Sequence, residues 1–454
     1  MGLSRHLPIF PFLRVTIVAG LLCASPHASI GQTDAQTPTS TPSASTTPVV
    51  STTDWEQWKR NCSLMEDAAH KAFSCATSIF TARPFHFVVQ SIVPGSGVGG
   101  GGRYTRDLNE NNGAQDQLQA TSLITIRKFW LAELKFTSQH SVNTDWNKSG
   151  ESLGYTIYAR NRSMPNLPFY GLGPNTNVNN SVRFSQRDTS AGISVTAPFP
   201  ELSWLSTGGT FEGLWPDIGG VSGSKSVSIQ QVYTEQTAPG LSSQPPMIHE
   251  QIFLRPHHRF HSRFEINYKI AYNFYQDTDT GHFSFRRFET NLDHRFYPEK
   301  KKHGGAVEQN YFSVLWRYSV SDASAGNAVP FYLQETIGGS DIDNQASLRG
   351  FRDFRFRGPD LMTIQAEYNR KLCEDCAPCK PGVIRTVCSH LGLLVAYDAG
   401  KVALGKSDLD FSDMHQSYAG GISIYLGKDV VFRMAVALGG GEGVHPYFGV
   451  ANFL

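Results

Sequence analysis

The chain has 454 residues, of which 17% are charged, and its formal net charge is +1. Charge so close to neutral excludes the basic footprint of a nucleic-acid binder. Past the N-terminal region no apolar run reaches about 18 residues, which argues against a helical membrane span in the mature protein.

Residues 1–31 read as an export signal. Arg5 and Arg14 precede the apolar run Val15–Leu22, and Ser29-Ile30-Gly31 supplies small residues before a cut near Gln32. Leu22 is too large for lipoprotein processing at Cys23, so that cysteine is expected to leave with the signal. Residues 32–53 are Thr, Ser, Pro and Ala with almost no bulky apolar side chain, the composition of a flexible tether. Residues 54–83 predict a short helical segment on the periplasmic side. Thr53 and Glu56 make a capping box, and Trp55, Trp58, Cys62, Met65, Ala69 and Ala72 recur at helical spacing.

Six cysteines remain after processing: Cys62, Cys75, Cys373, Cys376, Cys379 and Cys388. An even count in an exported chain favours disulfides. The spacing of Cys373, Cys376 and Cys379 also suits a metal or cluster, which the loss of free thiolates in an oxidising compartment disfavours. One straight helix would hold Cys62 and Cys75 about 20 Å apart, too far to bond. The pairing among the six is not fixed by the sequence.

From Pro84 to Leu454 the pattern is that of strands. A glycine-rich run, Gly97 to Gly102, formally matches a dinucleotide fingerprint, but no helical pattern follows it. It reads instead as a first strand, beginning near Gly97, whose missing side chains weaken its seam with the last strand. Further on, Phe264, Ile266, Tyr268, Ile270, Tyr272 and Phe274 alternate with Arg263, Glu265, Asn267, Lys269 and Asn273. One face is aromatic and the other charged or amide-bearing. A soluble sandwich can alternate too, yet an aromatic-belted face opposite a charged one is what a membrane barrel requires, with lipid outside and water inside. His257, His258 and His261 flank Pro256 and read as a turn, not a metal site.

The strand containing Phe312, Val314, Trp316, Tyr318 and Val320 is followed by a forty-residue connection, Ser321–Asp360, that carries Leu348-Arg349-Gly350-Phe351. A connection of that length in a compact domain is usually functional. About eleven strands precede it. Five follow: Leu361–Leu372, Leu391–Val402, Ser417–Leu426, Val430–Leu438 and Pro446–Leu454. The expected fold is therefore all-β, a transmembrane antiparallel β-barrel of about sixteen strands. Parity places Ser321–Asp360 outside the cell and Cys373–Cys388 at a periplasmic turn. The same count puts the tight turn Pro198–Ser203 outside.

Leu348-Arg349-Gly350-Phe351 in a long loop, Gly338-Gly339 before it and Asp398-Ala399-Gly400 two strands on resemble the barrel-assembly superfamily that includes BamA, TamA and bacterial surface antigens. Phe169-Tyr170-Gly171-Leu172-Gly173 is similar to a segment of its short members. The resemblance covers roughly Pro84 to Leu454. It implies that the loop folds into the lumen, where Arg349 pairs with Asp398 and Glu367, beside Gly350, Phe351 and Gly400. It also implies residence in the bacterial outer membrane, lipid as partner, and insertion or translocation of a polypeptide or lipid-linked client. No cofactor or nucleic acid is called for, and no nucleophile elbow or catalytic carboxylate pair is evident. The fifty or so residues between the cut and Pro84 leave no room for the client-binding periplasmic modules of larger members. A passive pore or structural barrel is the alternative.

Overall fold

The computed structural model describes residues 83–450 except 112–113, 141–152, 200–201, 222–225, 262, 299–309, 344, 373–389 and 427–428. The expected signal, tether and helical segment, all six cysteines and the terminal Phe453 lie outside the described residues.

Eleven strands lead to the long connection: β1 Phe85–Gln90, β2 Gly99–Asn111, β3 Ala114–Thr125, β4 Trp130–His140, β5 Leu153–Phe169 and β6 Val182–Phe199, then β7 Leu202–Gly220, β8 Met247–Phe260, β9 Phe264–Asp277, β10 Phe285–Phe296 and β11 Tyr311–Ala323. Two short strands, β12 Glu335–Ile337 and β13 Phe356–Gly358, pair with each other inside that connection. Five more strands follow: β14 Asp360–Lys371, β15 Leu391–Ala403, β16 His415–Leu426, β17 Asp429–Gly439 and β18 Val444–Val450. All but β12 and β13 form one sixteen-stranded sheet in chain order. Each neighbour is antiparallel, as hairpins dictate.

The sheet is inside out relative to a soluble core. Phe85, Phe87, Phe211, Trp215, Ile252, Val395, Tyr418 and Val436 are exposed on its outer face. Arg162, Gln186, His249, Asn273, Arg287, Thr363, Glu367, Asn369, Asp398 and Ser417 are buried on the inner one. Burying polar side chains and exposing aromatic ones is unfavourable in water and favourable in lipid.

Curvature follows from what the connection touches. Arg355, just before β13, hydrogen-bonds Thr176 between β5 and β6 and pairs with Glu442 between β17 and β18. Asp353 stands beside Gly95, which follows β1, and within electrostatic reach of His445 on β18. Both ends of the sheet thus come round to one loop. The result is a β-barrel with a polar lumen and an apolar coat.

Alternate connections lie at opposite ends of the barrel. One end carries the long connection and may be named the loop end. There an apolar cluster gathers Ile92, Val93, Phe129, Phe169, Phe184, Ile229, Leu241, Phe331 and Phe354 into a dry cap.

The total of sixteen strands agrees with the sequence reading, but the first strand does not. It is Phe85–Gln90, and the glycine run falls in β2. The alternation Phe85, Phe87, Val89 marks a short strand that the glycines after it obscure. Those glycines admit neighbours: a Cβ on Gly101 would lie 1.9 Å from the Ser122 carbonyl oxygen, and one on Gly102 would lie 2.6 Å from the Phe85 ring. Starting one strand earlier also moves the β6–β7 connection to the end opposite the long connection. Pro256, His257 and His258 lie within β8 and only His261 is in the turn. Proline lacks an N–H, and the β8–β9 ladder skips Arg255 and Pro256. His257 turns inward to Glu265 at 2.9 Å, while His258 meets the Phe260 ring. Among the described residues no cluster of three metal-ligating side chains occurs.

This distribution makes a paired prediction. Ile252→Arg on the outer face of β8 should lower refolding stability in lipid vesicles by about 2–4 kcal/mol, the cost of a charge near the bilayer midplane. Asn267→Arg on the lumen face of β9 should stay within about 0.5 kcal/mol. Equal effects would contradict the assignment of faces.

Candidate functional site in the lumen

The β14–β15 register sets the wall of the site. Gln365 faces Asp398 and Thr363 faces Gly400 across the pair, and Glu367 lies on the same wet face as Gln365. Glu367 and Asp398 are therefore diagonal neighbours, two carboxylates on one buried patch. Two like charges there require a cation.

The long connection delivers it. Arg349 Nη2 lies 3.2 Å from Glu367 Oε2 and 3.7 Å from Asp398 Oδ1. The Arg349 backbone N–H donates to Asp398 Oδ2 at 2.9 Å. The side chains of all three are nearly sealed from solvent, Asp398 most of all at 1% exposure. The guanidinium does not fork onto one carboxylate: a single nitrogen stands between two, and Asp398 is held chiefly by the backbone amide. Removing one member of such a buried set strands the others, which costs about 3–5 kcal/mol.

Neighbouring strands complete the network. Tyr311 of β11 donates to Glu367 Oε1 at 2.8 Å, and Arg433 of β17 pairs with the same oxygen at 3.2 Å. Ser417 of β16 donates to Asp398 Oδ2 at 3.1 Å, and Gln365 donates to the Ala346 carbonyl at 2.5 Å. Five strands thus converge on one loop segment.

The two residues after Arg349 pack against β17. A Cβ on Gly350 would fall 2.3 Å from the Leu438 carbonyl carbon, so only glycine lets the backbones approach this closely. Phe351 is 3% exposed and packs with Ile337, Leu348, Phe356, Leu361 and Val402. Its ring covers Gly439 and Gly440, where any Cβ would collide with it. Gly400 lies opposite Thr363, whose methyl group would be 2.9 Å from an added Cβ. The structure thus brings Arg349, Gly350, Phe351, Glu367, Asp398 and Gly400 into one region.

On β10, β11 and β5 the connection meets further arginines of the wall. Arg317 Nη1 pairs with Asp341 Oδ2 at 3.0 Å, and Arg287 Nη1 with Glu335 Oε1 at 3.3 Å. Arg287 also donates to the Leu333 carbonyl and Arg162 to the Ile342 carbonyl. A polar cavity of about 400 Å³ remains between these loop residues and strands β5 to β11. In the connection itself, burial raises the carboxyl groups of Asp341 and Asp353 above the usual carboxylate range. Burial pushes the Arg357 guanidinium down to about 10.

Sequence reasoning missed Tyr311, Arg433, Arg355, Arg357 and the glycine seat for Phe351. The run Gly439-Gly440-Gly441 in a hairpin was an available signal for the seat. The partners of the arginines, a mixture of carboxylates, hydroxyls, carbonyls and rings on other strands and turns, form no local pattern with them.

No protein-family model matches the sequence, and no curated protein does. Among solved structures, CdiB from Acinetobacter baumannii is similar at 12% identity and a TM-score of 0.46, over 80% of this chain and 58% of that one. BamA from Haemophilus ducreyi lacking POTRA domains 1–3 aligns at 12% identity and a TM-score of 0.48, over 87% and 80%. CdiB from Escherichia coli gives 11% identity and a TM-score of 0.48, over 80% and 61%. The chain therefore spans under two thirds of either CdiB protein.

Gly350→Ala should destabilise the folded barrel by about 1–3 kcal/mol through forced overpacking against β17. Urea midpoints in detergent micelles measure it, and an unchanged midpoint would contradict the close approach.

Proposed function

We propose that this protein is a bacterial outer-membrane barrel that inserts or translocates a polypeptide or lipid-linked client, with the loop end facing outward. The observation carrying this reading is the loop-filled lumen, in which Arg349 is held between Glu367 and Asp398. A passive channel needs a clear axis, whereas here the connection between β11 and β14 is bonded to the wall on both sides. Such a brace keeps the barrel shaped while its ends separate.

The terminal strands are suited to separation. The first strand, β1, has 6 residues, against 11 to 19 for β2 to β11 and β14 to β17. Few ladder hydrogen bonds are available at such a seam, so parting it exposes few unsatisfied groups to lipid. The Arg349 constellation acts as a lock in this scheme: it fixes β14 to β17 as one rigid wall and leaves movement to the side of β1. Lipid contacts the outer coat, and the client meets the seam.

A photo-crosslinking residue at Phe87 on β1 or Val444 on β18, both exposed, should capture polypeptide in intact membranes. The same probe at Ile252 on the far wall should capture only lipid. Capture of lipid alone at all three, with steady large ion-selective openings in planar bilayers, would contradict the reading and favour a passive pore.

A further inference from the structure

Phe169-Tyr170-Gly171-Leu172-Gly173, at the end of β5, has no part in the Arg349 network, yet the far end of the long connection rests on it. Gly173 N–H donates to the Arg357 carbonyl at 2.7 Å, and the two residues form an isolated antiparallel bridge. Gly171 and Gly173 have φ of +99° and +92°, a backbone bend that L side chains resist. That bend aims the Gly173 amide at the connection.

Two arginines fill the seat. The Arg357 guanidinium is buried among the rings of Phe169, Phe184 and Phe331, at 6.0, 5.9 and 5.8 Å from their centroids. Its Nη1 donates to the Phe331 carbonyl at 2.6 Å, and among the described residues no ion pair holds it. Arg355 lies 5.0 Å from the Tyr170 ring centre, donates to the Thr176 hydroxyl and carbonyl at 2.6 Å each, and pairs with Glu442. Phe169, Phe184 and Phe331 also belong to the apolar cap that closes the loop end.

We propose that Arg355 and Arg357, seated on Phe169–Gly173, form a second latch that closes the loop-end mouth of the barrel. The long connection is then a strut with two unlike ends. At the Arg349 end, release strands two buried carboxylates, so that end stays fixed. At the other end Arg357 is held by ring faces and a carbonyl, so its own withdrawal from Phe169 leaves no bare charge behind, while Arg355 keeps its pair with Glu442 on the β17–β18 side. The mouth therefore opens at β5–β6 while the connection stays tied to β14–β15. Arg357 and Phe169 are positioning residues: they set whether the lumen is sealed, whatever client the barrel handles.

Planar-bilayer recording of the purified full-length protein tests this, with heat-modifiable gel migration reporting the folded barrel. Arg357→Ala should migrate as the wild type yet open at least about tenfold more often, the scale of a desolvated cation–π contact. Phe169→Leu removes one of the three rings around Arg357, and it should open more often than the wild type and less often than Arg357→Ala. Combining the two should add little, because both break one contact. Ile229→Ala thins the same cap without touching either arginine and should leave openings rare. Folded R357A and F169L with wild-type openings would overturn the latch, as would I229A opening the mouth equally well. Should R357A fail to fold, F169L against I229A decides in the same way. Client crosslinking at the seam is a separate readout, so loss of the latch and loss of the translocation reading are distinguishable.

Discussion

One guanidinium set against two carboxylates governs the arrangement of the lumen. Glu367 and Asp398 are diagonal neighbours on adjacent strands and are both buried, so their charges cannot coexist without a cation. Arg349 supplies that cation from the long connection. Once it is in place, Gly350 runs tight against β17 and Phe351 covers the glycines of the next turn. The acidic residues Glu335 and Asp341 then meet Arg287 and Arg317 on the adjoining strands β10 and β11. Arg349 is thus one of several points that fix the connection, and the one that answers two buried carboxylates.

The sheet makes this docking possible because its inner face is wet. A lumen lined by Gln, Asn, Ser, Arg and Glu offers bonding partners at every level, and the outer face gives lipid a largely apolar surface. The connection brings both kinds of chemistry: charged residues where it crosses the lumen, and Phe331 and Phe354 where it joins the cap at the loop end. That division explains how a mouth can be sealed dry above a cavity that stays polar. It also separates two tasks, since the bracing lies at β14–β17 and the sealing lies at β5–β6.

Much of this was legible in the sequence because lipid and lumen impose alternation on every strand. Phe264 to Phe274 shows it without ambiguity, and the last five strands fall within three residues of their expected limits at every described end. The pattern failed where side chains are missing. Gly99 to Gly102 have nothing to alternate, so the strand containing them was taken for the first and Phe85–Gln90 was overlooked. The Arg349 constellation was readable because arginine, glycine and aromatic stand together, with an aspartate and a glycine at strand distance. Arg355 and Arg357 stand in an equally basic stretch, but their partners are the Thr176 carbonyl, the Phe331 carbonyl, the ring of Phe169 and Glu442 in a distant turn, and no local pattern joins them. Proximity across nearly 180 residues is a property of the closed wall, not of any local pattern.

The most direct measurement is a double-mutant cycle between Arg349→Ala and Glu367→Gln, read as unfolding free energy of the barrel in lipid vesicles. Each single change should destabilise, and the pair should couple by more than about 1 kcal/mol, because the second change removes a charge that the first leaves unpaired. Additivity within about 0.5 kcal/mol would show that the guanidinium and the carboxylate do not depend on each other, and the brace described here would not exist.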